Sequence, residues 1–299
     1  MGVVVSRVAK CISAIALAVV TGSAGSARAE SLLLSMEETS VIDGQQFLSG
    51  DLLSVDETPG SATLFLSDTL FVEPENVDAA AHQPDGSIIF STAAQSQIGA
   101  AFFEDGDLIA YDPTTGAATL WLDDDTEFFA DVDIDGVHVL ENGHILFSVR
   151  DDATLFPQLP GEAFYRDGDV IEYDPDAGTT SLYLSEAIFT WNVDENGDQV
   201  PDFANPDIDG LSMLPSGHLL LSIRSAAKID EEVYSDGEII EYDRETGVSS
   251  LYLSLFERSG TNFDVGAVSV YLPEPGRALL LGSALALVGI PKRRARPGR

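Results

Sequence analysis

Four aspartates stand at matching points of a recurring pattern. They are Asp78 in Val77-Asp78-Ala79-Ala80, Asp135 in Ile134-Asp135-Gly136-Val137, Asp209 in Ile208-Asp209-Gly210-Leu211 and Asp264 in Phe263-Asp264-Val265-Gly266. Brought to one place, four carboxylates repel one another unless they are protonated or bridged by a cation. Calcium or magnesium, which take oxygen ligands, would suit them. The alternative is that each aspartate caps its own turn. A second oxygen-rich stretch runs Asp194-Glu195-Asn196-Gly197-Asp198-Gln199-Val200-Pro201-Asp202. Side-chain oxygens recur at Asp194, Asn196, Asp198 and Asp202, and the Val200 carbonyl falls where a chelating loop contributes backbone. Asp78 to Asp135 is 57 residues and Asp209 to Asp264 is 55, but Asp135 to Asp209 is 74. The extra length falls in the stretch that holds this loop, which therefore reads as a graft.

Other chemistry is thinly represented. Asp131-Val132-Asp133-Ile134-Asp135-Gly136 alternates acids but has Asn142 at its twelfth position, so it reads as an acidic approach to a strand. Asp123-Asp124-Asp125 reads as a solvated run. His82, His138, His144 and His218 form no metal-ligand spacing. His144 and His218 share a place after a hairpin glycine, which points to a structural role. Ser35, Ser91, Ser148 and Ser222 recur in every unit, so they are expected to satisfy backbone at sheet ends rather than act as nucleophiles. Arg150 and Arg224 follow two of these serines; pairing with Asp135 and Asp209 is the default expectation, and binding an anionic sugar is the alternative. No nucleophile elbow, phosphate loop or dinucleotide fingerprint is present, and no catalytic residue is predicted.

The elements that must position the acids come from a repeat. Four kinds of segment recur in fixed order. The first kind carries the four aspartates. The second is Leu32-Leu33-Leu34-Ser35, Ile88-Ile89-Phe90-Ser91, Ile145-Leu146-Phe147-Ser148 and Leu219-Leu220-Leu221-Ser222. The third is Gly50-Asp51-Leu52-Leu53, Gly106-Asp107-Leu108-Ile109, Gly168-Asp169-Val170-Ile171 and Gly237-Glu238-Ile239-Ile240. The fourth is Leu64-Phe65-Leu66, Leu120-Trp121-Leu122, Leu182-Tyr183-Leu184 and Leu251-Tyr252-Leu253. Each is short, apolar or alternating, and bounded by turn residues such as Pro84-Asp85-Gly86 and Glu141-Asn142-Gly143, so each reads as a strand. Four antiparallel strands per unit predict an all-β, four-bladed β-propeller over residues 30–272. Its last strand, Phe263 to Tyr271, is expected to complete the first blade beside Leu32 to Ser35. Long connections between second and third strands, Ser91 to Asp105 and Arg150 to Asp167, gather on one face, where function concentrates. An open array or a β-sandwich pair would leave the offset between the two chain ends unexplained.

The chain is very acidic, with formal net charge −35, and 49 of its 50 acids lie in residues 30–272 against six of its 15 Lys and Arg. Such a field repels nucleic acid and anionic membrane and attracts divalent cations. Apolar residues make up 44%, which excludes an acidic disordered chain. Residues 1–29 read as a secretory signal helix: Arg7 and Lys10, the apolar Cys11 to Val20, and the cleavage site Ala27-Arg28-Ala29. The sole cysteine would leave with it, so no disulfide is expected.

Residues 273–299 run Pro273-Glu274-Pro275, apolar Ala278 to Ile290, then Lys292-Arg293-Arg294. This order resembles a PEP-CTERM sorting tail. The resemblance implies a Gram-negative exporter, an exosortase partner, a transient inner-membrane anchor through a sorting helix, and association with surface material and exopolysaccharide. The Asp194–Asp202 stretch resembles the calcium loop of thrombospondin type 3 repeats, with Gln199 in place of the common glycine and no glutamate at the twelfth position. The repeats resemble uncharacterised bacterial surface proteins with blade-like strand starts, which implies a fold and no activity. Together these readings predict an exported, non-catalytic, calcium-binding surface or matrix protein that contacts carbohydrate or another protein. The alternative is a calcium-dependent propeller hydrolase of lactonase, phosphatase or glycosidase type.

Overall fold

A computed structural model describes residues 31–128, 132–155, 163–190, 206–261 and 263–271. The signal segment, the loop carrying Asp194, Asn196, Asp198, Val200 and Asp202, and the sorting tail lie outside the described residues. So does Asp131.

The chain is all-β, built on four antiparallel four-stranded sheets. The first holds Ala267–Tyr271, Ser31–Ser35, Leu52–Val55 and Thr63–Leu66; the second holds Val77–His82, Ile88–Thr92, Leu108–Asp112 and Ala117–Leu122. The third holds Gly136–Val139, Ile145–Ser148, Val170–Asp174 and Thr179–Leu184; the fourth holds Gly210–Met213, Leu219–Ser222, Glu238–Asp243 and Val248–Ser254. The last strand pairs with the first in the register Ser31↔Tyr271 to Ser35↔Ala267. It begins at Ala267 rather than at the expected Phe263. The long connections between second and third strands are not plain loops. Each carries a two-stranded hairpin, such as Ser40–Ile42 with Gln45–Phe47 and Ser96–Ile98 with Ala101–Phe103. Among the described residues helix is confined to short turns, the longest being Asp124–Phe128. No helix among the described residues is long and apolar enough to cross a membrane.

Apolar side chains of neighbouring sheets interlock into four clusters. Phe90, Ile88 and Ala80 of the second sheet meet Leu52, Leu66 and Ala267 of the first. Ile89 and Leu108 of the second meet Phe147 and Tyr173 of the third. Leu146 and Val170 of the third meet Leu221 and Tyr242 of the fourth. Leu220 and Ile239 of the fourth meet Leu32, Leu34 and Val268 of the first. Burial of this apolar surface is the dominant stabilising term at roughly 25 cal/mol per Å².

Simple alternation places both leucines of each fourth segment on one face. The structure separates them: Leu66, Leu122, Leu184 and Leu253 are buried, while Leu64, Leu120, Leu182 and Leu251 face solvent. A register shift occurs at the same place in every sheet, between Leu52 and Leu53, Leu108 and Ile109, Val170 and Ile171, and Ile239 and Ile240. The extra residue of this bulge turns the strand over, so residues two apart point to opposite sides.

A carboxylate latch sits beside two of the bulges. Asp51 accepts from the Leu48 amide at 2.8 Å and the Asp68 amide at 2.9 Å, and Asp169 accepts from Arg166 at 3.0 Å and Glu186 at 2.8 Å. Each ties the turn before the third strand to the turn after the fourth. The preceding Gly50 and Gly106 have φ of +84°, and a Cβ there would sit 1.9 Å from the Glu75 and Val132 carbonyl oxygens. Glycine alone permits that approach.

The two ends of the described chain are further stapled by Arg258, which lies just before the last strand. Its guanidinium pairs with Asp43 at the tip of the first hairpin and donates to the Asp56 carbonyl at 2.8 Å and Ser61 Oγ at 2.9 Å. Both charged side chains are at most 5% exposed. Removing one partner leaves the other charge buried alone, so Arg258→Ala should cost about 3–5 kcal/mol in urea unfolding. The double variant Asp43→Asn/Arg258→Met should recover most of that loss, because asparagine keeps the left-handed φ of 53° found at Asp43. A single variant no less stable than wild type would show that the staple contributes nothing.

Candidate metal centre

The site forms where the chain enters the innermost strand of each sheet. Four backbone bonds set equivalent positions: Ala93 to Asn76 at 3.1 Å, Arg150 to Asp133 at 3.0 Å, Arg224 to Asp207 at 3.0 Å and Glu37 to Asp264 at 3.2 Å, the amide donating each time. Two residues further on stand Asp78, Asp135, Asp209 and Gly266, with Asp135 and Gly266 donating to the equivalent Ser148 and Ser35 carbonyls. Asp264 is therefore not the fourth member of the set Asp78, Asp135 and Asp209. It matches Asp133 and Asp207, and glycine holds the fourth inner place. The reason is the two-residue period of a strand. A slip of two leaves every side chain on its own face, so Phe263-Asp264-Val265-Gly266 fits the pattern equally well in either register.

The carboxylates converge all the same, and more of them than the repeat implied. Asp78, Asp133 and Asp135 can bring one oxygen each within 4.8 Å of one another; so can Asp135, Asp207 and Asp209, and so can Glu37, Asp209 and Asp264. Asp133, Asp207 and Glu37 are new members. The first two were legible as the doubled Asp-Ile-Asp-Gly at 133–136 and 207–210. Glu37 carries no such signal, since it joins only through the pairing of the first and last strands.

Asp135 and Asp209 are 2% exposed and Asp78 is 5% exposed. Among the described residues neither oxygen of any of the three has a hydrogen-bond donor, while the carboxyl groups of Asp78 and Asp133, and of Asp209 and Asp264, face each other; Asp133, Asp207 and Asp264 each have one unpartnered oxygen. Burial pushes every one of these acids up. Asp135 rises to about 9, through burial first and then the charges of Asp207 and Asp133. Asp207 rises to about 8 and Asp264 to about 7, mainly by burial. Asp78 and Asp209 stand well above the usual carboxylate range, again through burial and then their acidic neighbours. Charge relief comes from Arg150 and Arg224. They do not pair with Asp135 and Asp209 as the sequence suggested: Arg150 lies 3.5 Å from Asp133, and Arg224 lies 3.4 Å from Asp207 and 3.7 Å from Glu37. Oxygen-only donors, unpartnered and desolvated, fit a hard divalent cation.

Two of the four recurring serines hold neighbouring sheets together at this point. Ser35 Oγ donates to the Val77 carbonyl and Ser148 Oγ to the Ile208 carbonyl, so these two satisfy backbone as expected, but across the junction rather than within their own sheet; the equally buried hydroxyls of Ser91 and Ser222 have no hydrogen-bond partner among the described residues, against that expectation. The acidic run at 123–125 departs from expectation. Asp124 is buried, accepts from the Val132 amide at 2.9 Å, and is pushed up to about 7 chiefly by burial. His144 and His218 contact Glu172 and Glu241 at 2.7 and 2.6 Å. That repeated contact agrees with a structural role.

Deeper along the inner strands, His138 occupies the place held elsewhere by Ala81, Ser212 and Ser269, each opposite the corresponding second strand. Ser212 and Ser269 accept from the Val270 and His82 amides of the next sheet. Burial alone pushes the half-buried His138 ring down to about 4. The unfolded chain takes up this proton near pH 6.5 and the folded one only near pH 4. Stability from this group is complete above pH 6.5 and is lost as pH falls through that window, by on the order of 2–3 kcal/mol at most. Denaturant unfolding between pH 7 and pH 4 should show His138→Ser losing less stability than wild type. Parallel curves would exclude the effect.

No protein-family model matches the chain, and no curated protein matches it. Among solved structures, it is similar to a chain of a nidogen–laminin complex at 10% identity, over 81% of this chain and 98% of that one, with a TM-score of 0.36. It is similar to the extracellular domain of a one-component system from B. thetaiotaomicron at 12% identity, over 81% of this chain, with a TM-score of 0.35; it spans 36% of that chain. It is also similar to a gluconolactonase from Xanthomonas campestris at 14% identity, over 81% of this chain and 77% of that one, with a TM-score of 0.30.

Proposed function

We propose that this chain is an exported surface protein whose four sheets are the blades of a closed β-propeller, and that the acidic cluster at their inner ends binds calcium. The closed ring is supported by the pairing of the last strand with the first and by apolar clusters joining each sheet to two others. Export and surface attachment rest on the signal-like first 29 residues and the sorting-type tail, which call for exosortase-type machinery as a partner.

One observation carries the calcium reading. Six carboxylate oxygens on Asp78, Asp135 and Asp209 are buried without a hydrogen-bond donor among the described residues. An unpartnered buried polar group costs roughly 1–3 kcal/mol, and more when charged. A cation removes that cost for several groups at once. Held there beside Arg150 and Arg224, it offers hydroxyl or carboxylate oxygens of an exopolysaccharide or surface protein a place to dock.

A second reading, hydrolysis at the bound cation, is favoured by one feature. The cluster is lopsided: the inner place holds aspartate in three sheets and Gly266 in the fourth, and Asn76 stands where Asp133, Asp207 and Asp264 stand in the others. Turnover of lactone, phosphoester or glycoside substrates by the calcium-loaded chain, lost in Asp135→Asn, would establish it.

The primary test is thermal unfolding of the full chain with and without calcium. At a hundred times Kd, a ligand of the folded state adds about 2.7 kcal/mol. For a body of this size that is a rise of roughly 5–10 °C. Asp135→Asn/Asp209→Asn should abolish most of the rise, and Asp198→Asn in the separate loop should leave most of it. No shift in millimolar calcium would sink the calcium reading.

A further inference from the structure

The sequence suggests one cation on an axis shared by four aspartates; the geometry points to something else. We propose that the cluster holds two divalent cations at once, one in the triad Asp78, Asp133 and Asp135 and the other in the triad Glu37, Asp209 and Asp264. This rests on the cation-binding reading above and deepens it.

The triads themselves are the first argument. Of the three sets of carboxylates among the described residues whose oxygens approach within 4.8 Å, these two share no residue. The middle set borrows Asp135 from one and Asp209 from the other. A single ion in the middle therefore leaves Asp78, Asp133, Glu37 and Asp264 without a cation, whereas two outer ions engage six carboxylates and compete for none.

The place of each triad in the fold is the second argument. Asp78 belongs to the innermost strand of the second sheet, while Asp133 and Asp135 lead into that of the third. Asp209 leads into the fourth sheet, while Glu37 and Asp264 follow and precede the paired strands of the first. Each triad thus bridges one junction between sheets. Asp207, the one carboxylate left over, already has Arg224 at 3.4 Å.

Charge is the third argument. Seven carboxylates face two guanidinium groups, Arg150 and Arg224. Fully ionised, they leave five negative charges; one divalent ion leaves three, and two leave one. Buried like charges are costly enough that the smaller residue is strongly favoured. Unpartnered oxygens stand ready in both triads. Among the described residues both oxygens of Asp78 and Asp135 lack a hydrogen-bond donor in the first, and both of Asp209 and one of Asp264 in the second. Asp78, Asp135 and Asp209 are each at least nine-tenths buried. Oxygen-only sets of this kind take calcium or magnesium rather than softer metals.

The experiment counts ions. Equilibrium dialysis against radioactive calcium gives calcium bound per chain, using the full chain carrying Asp194→Asn and Asp198→Asn so that the separate loop does not contribute. Two equivalents are expected. Adding Asp78→Asn/Asp133→Asn should remove one equivalent and leave the other, and adding Asp209→Asn/Asp264→Asn should do the same. Melting in chelator checks folding: these isosteric changes remove buried repulsion, so each variant should unfold no lower than its parent. One equivalent in the parent, or loss of all binding from either pair of substitutions, overturns the two-ion arrangement while leaving the calcium reading intact. No binding in the parent overturns both.

Discussion

Buried negative charge that the protein alone does not neutralise is the constraint on which this structure turns. The inner strands of four sheets start close together, and six aspartates and a glutamate meet there with two arginines. Desolvation and mutual repulsion both disfavour the charged forms, and both act most strongly where water is excluded. The apolar clusters between sheets impose this crowding, because burying Phe90, Phe147, Leu221 and Leu34 against neighbouring sheets brings the strand starts with them. Hydrophobic packing thus works against the electrostatics of the site.

Two populations of buried acid divide cleanly by their hydrogen bonds. Asp51 and Asp169 are as buried as Asp78, yet each accepts two backbone amides, one on either oxygen. A carboxylate satisfied in this way is a structural tie between turns. Among the described residues no neighbouring backbone amide is tied to Asp78, Asp135 or Asp209 in this way. Equal burial with opposite satisfaction separates the scaffold from the site, and burial or residue type alone would not. Arg258 with Asp43 belongs to the scaffold: that buried pair is saturated with carbonyl and hydroxyl partners and joins segments far apart in the chain.

The repeats are alike in backbone and unlike in chemistry. The place after the second strand holds Ala93, Arg150, Arg224 and Glu37 in turn, and the inner place holds three aspartates and Gly266. Negative charge therefore collects unevenly, with Asn76 and Gly266 as the uncharged members of the two equivalent sets. A symmetric scaffold with unequal side chains gives the site a direction without any change of fold.

Strand content, the number of units, their turn signals and the recurrence of acids before the inner strands were all legible in the sequence. They depend on short-range rules, the two-residue alternation and the glycine and aspartate chemistry of tight turns, which act within a few residues. The alignment of Asp264, the turning over of the fourth strands at their bulges, the burial of Asp124 and the recruitment of Glu37 were not. A two-residue slip leaves alternation unchanged, a bulge has no residue signature of its own, and burial depends on which sheet lies across the junction. Those choices are made by packing between segments remote in the chain. The sequence therefore determined which residues recur, and only the tertiary structure decided which of them meet.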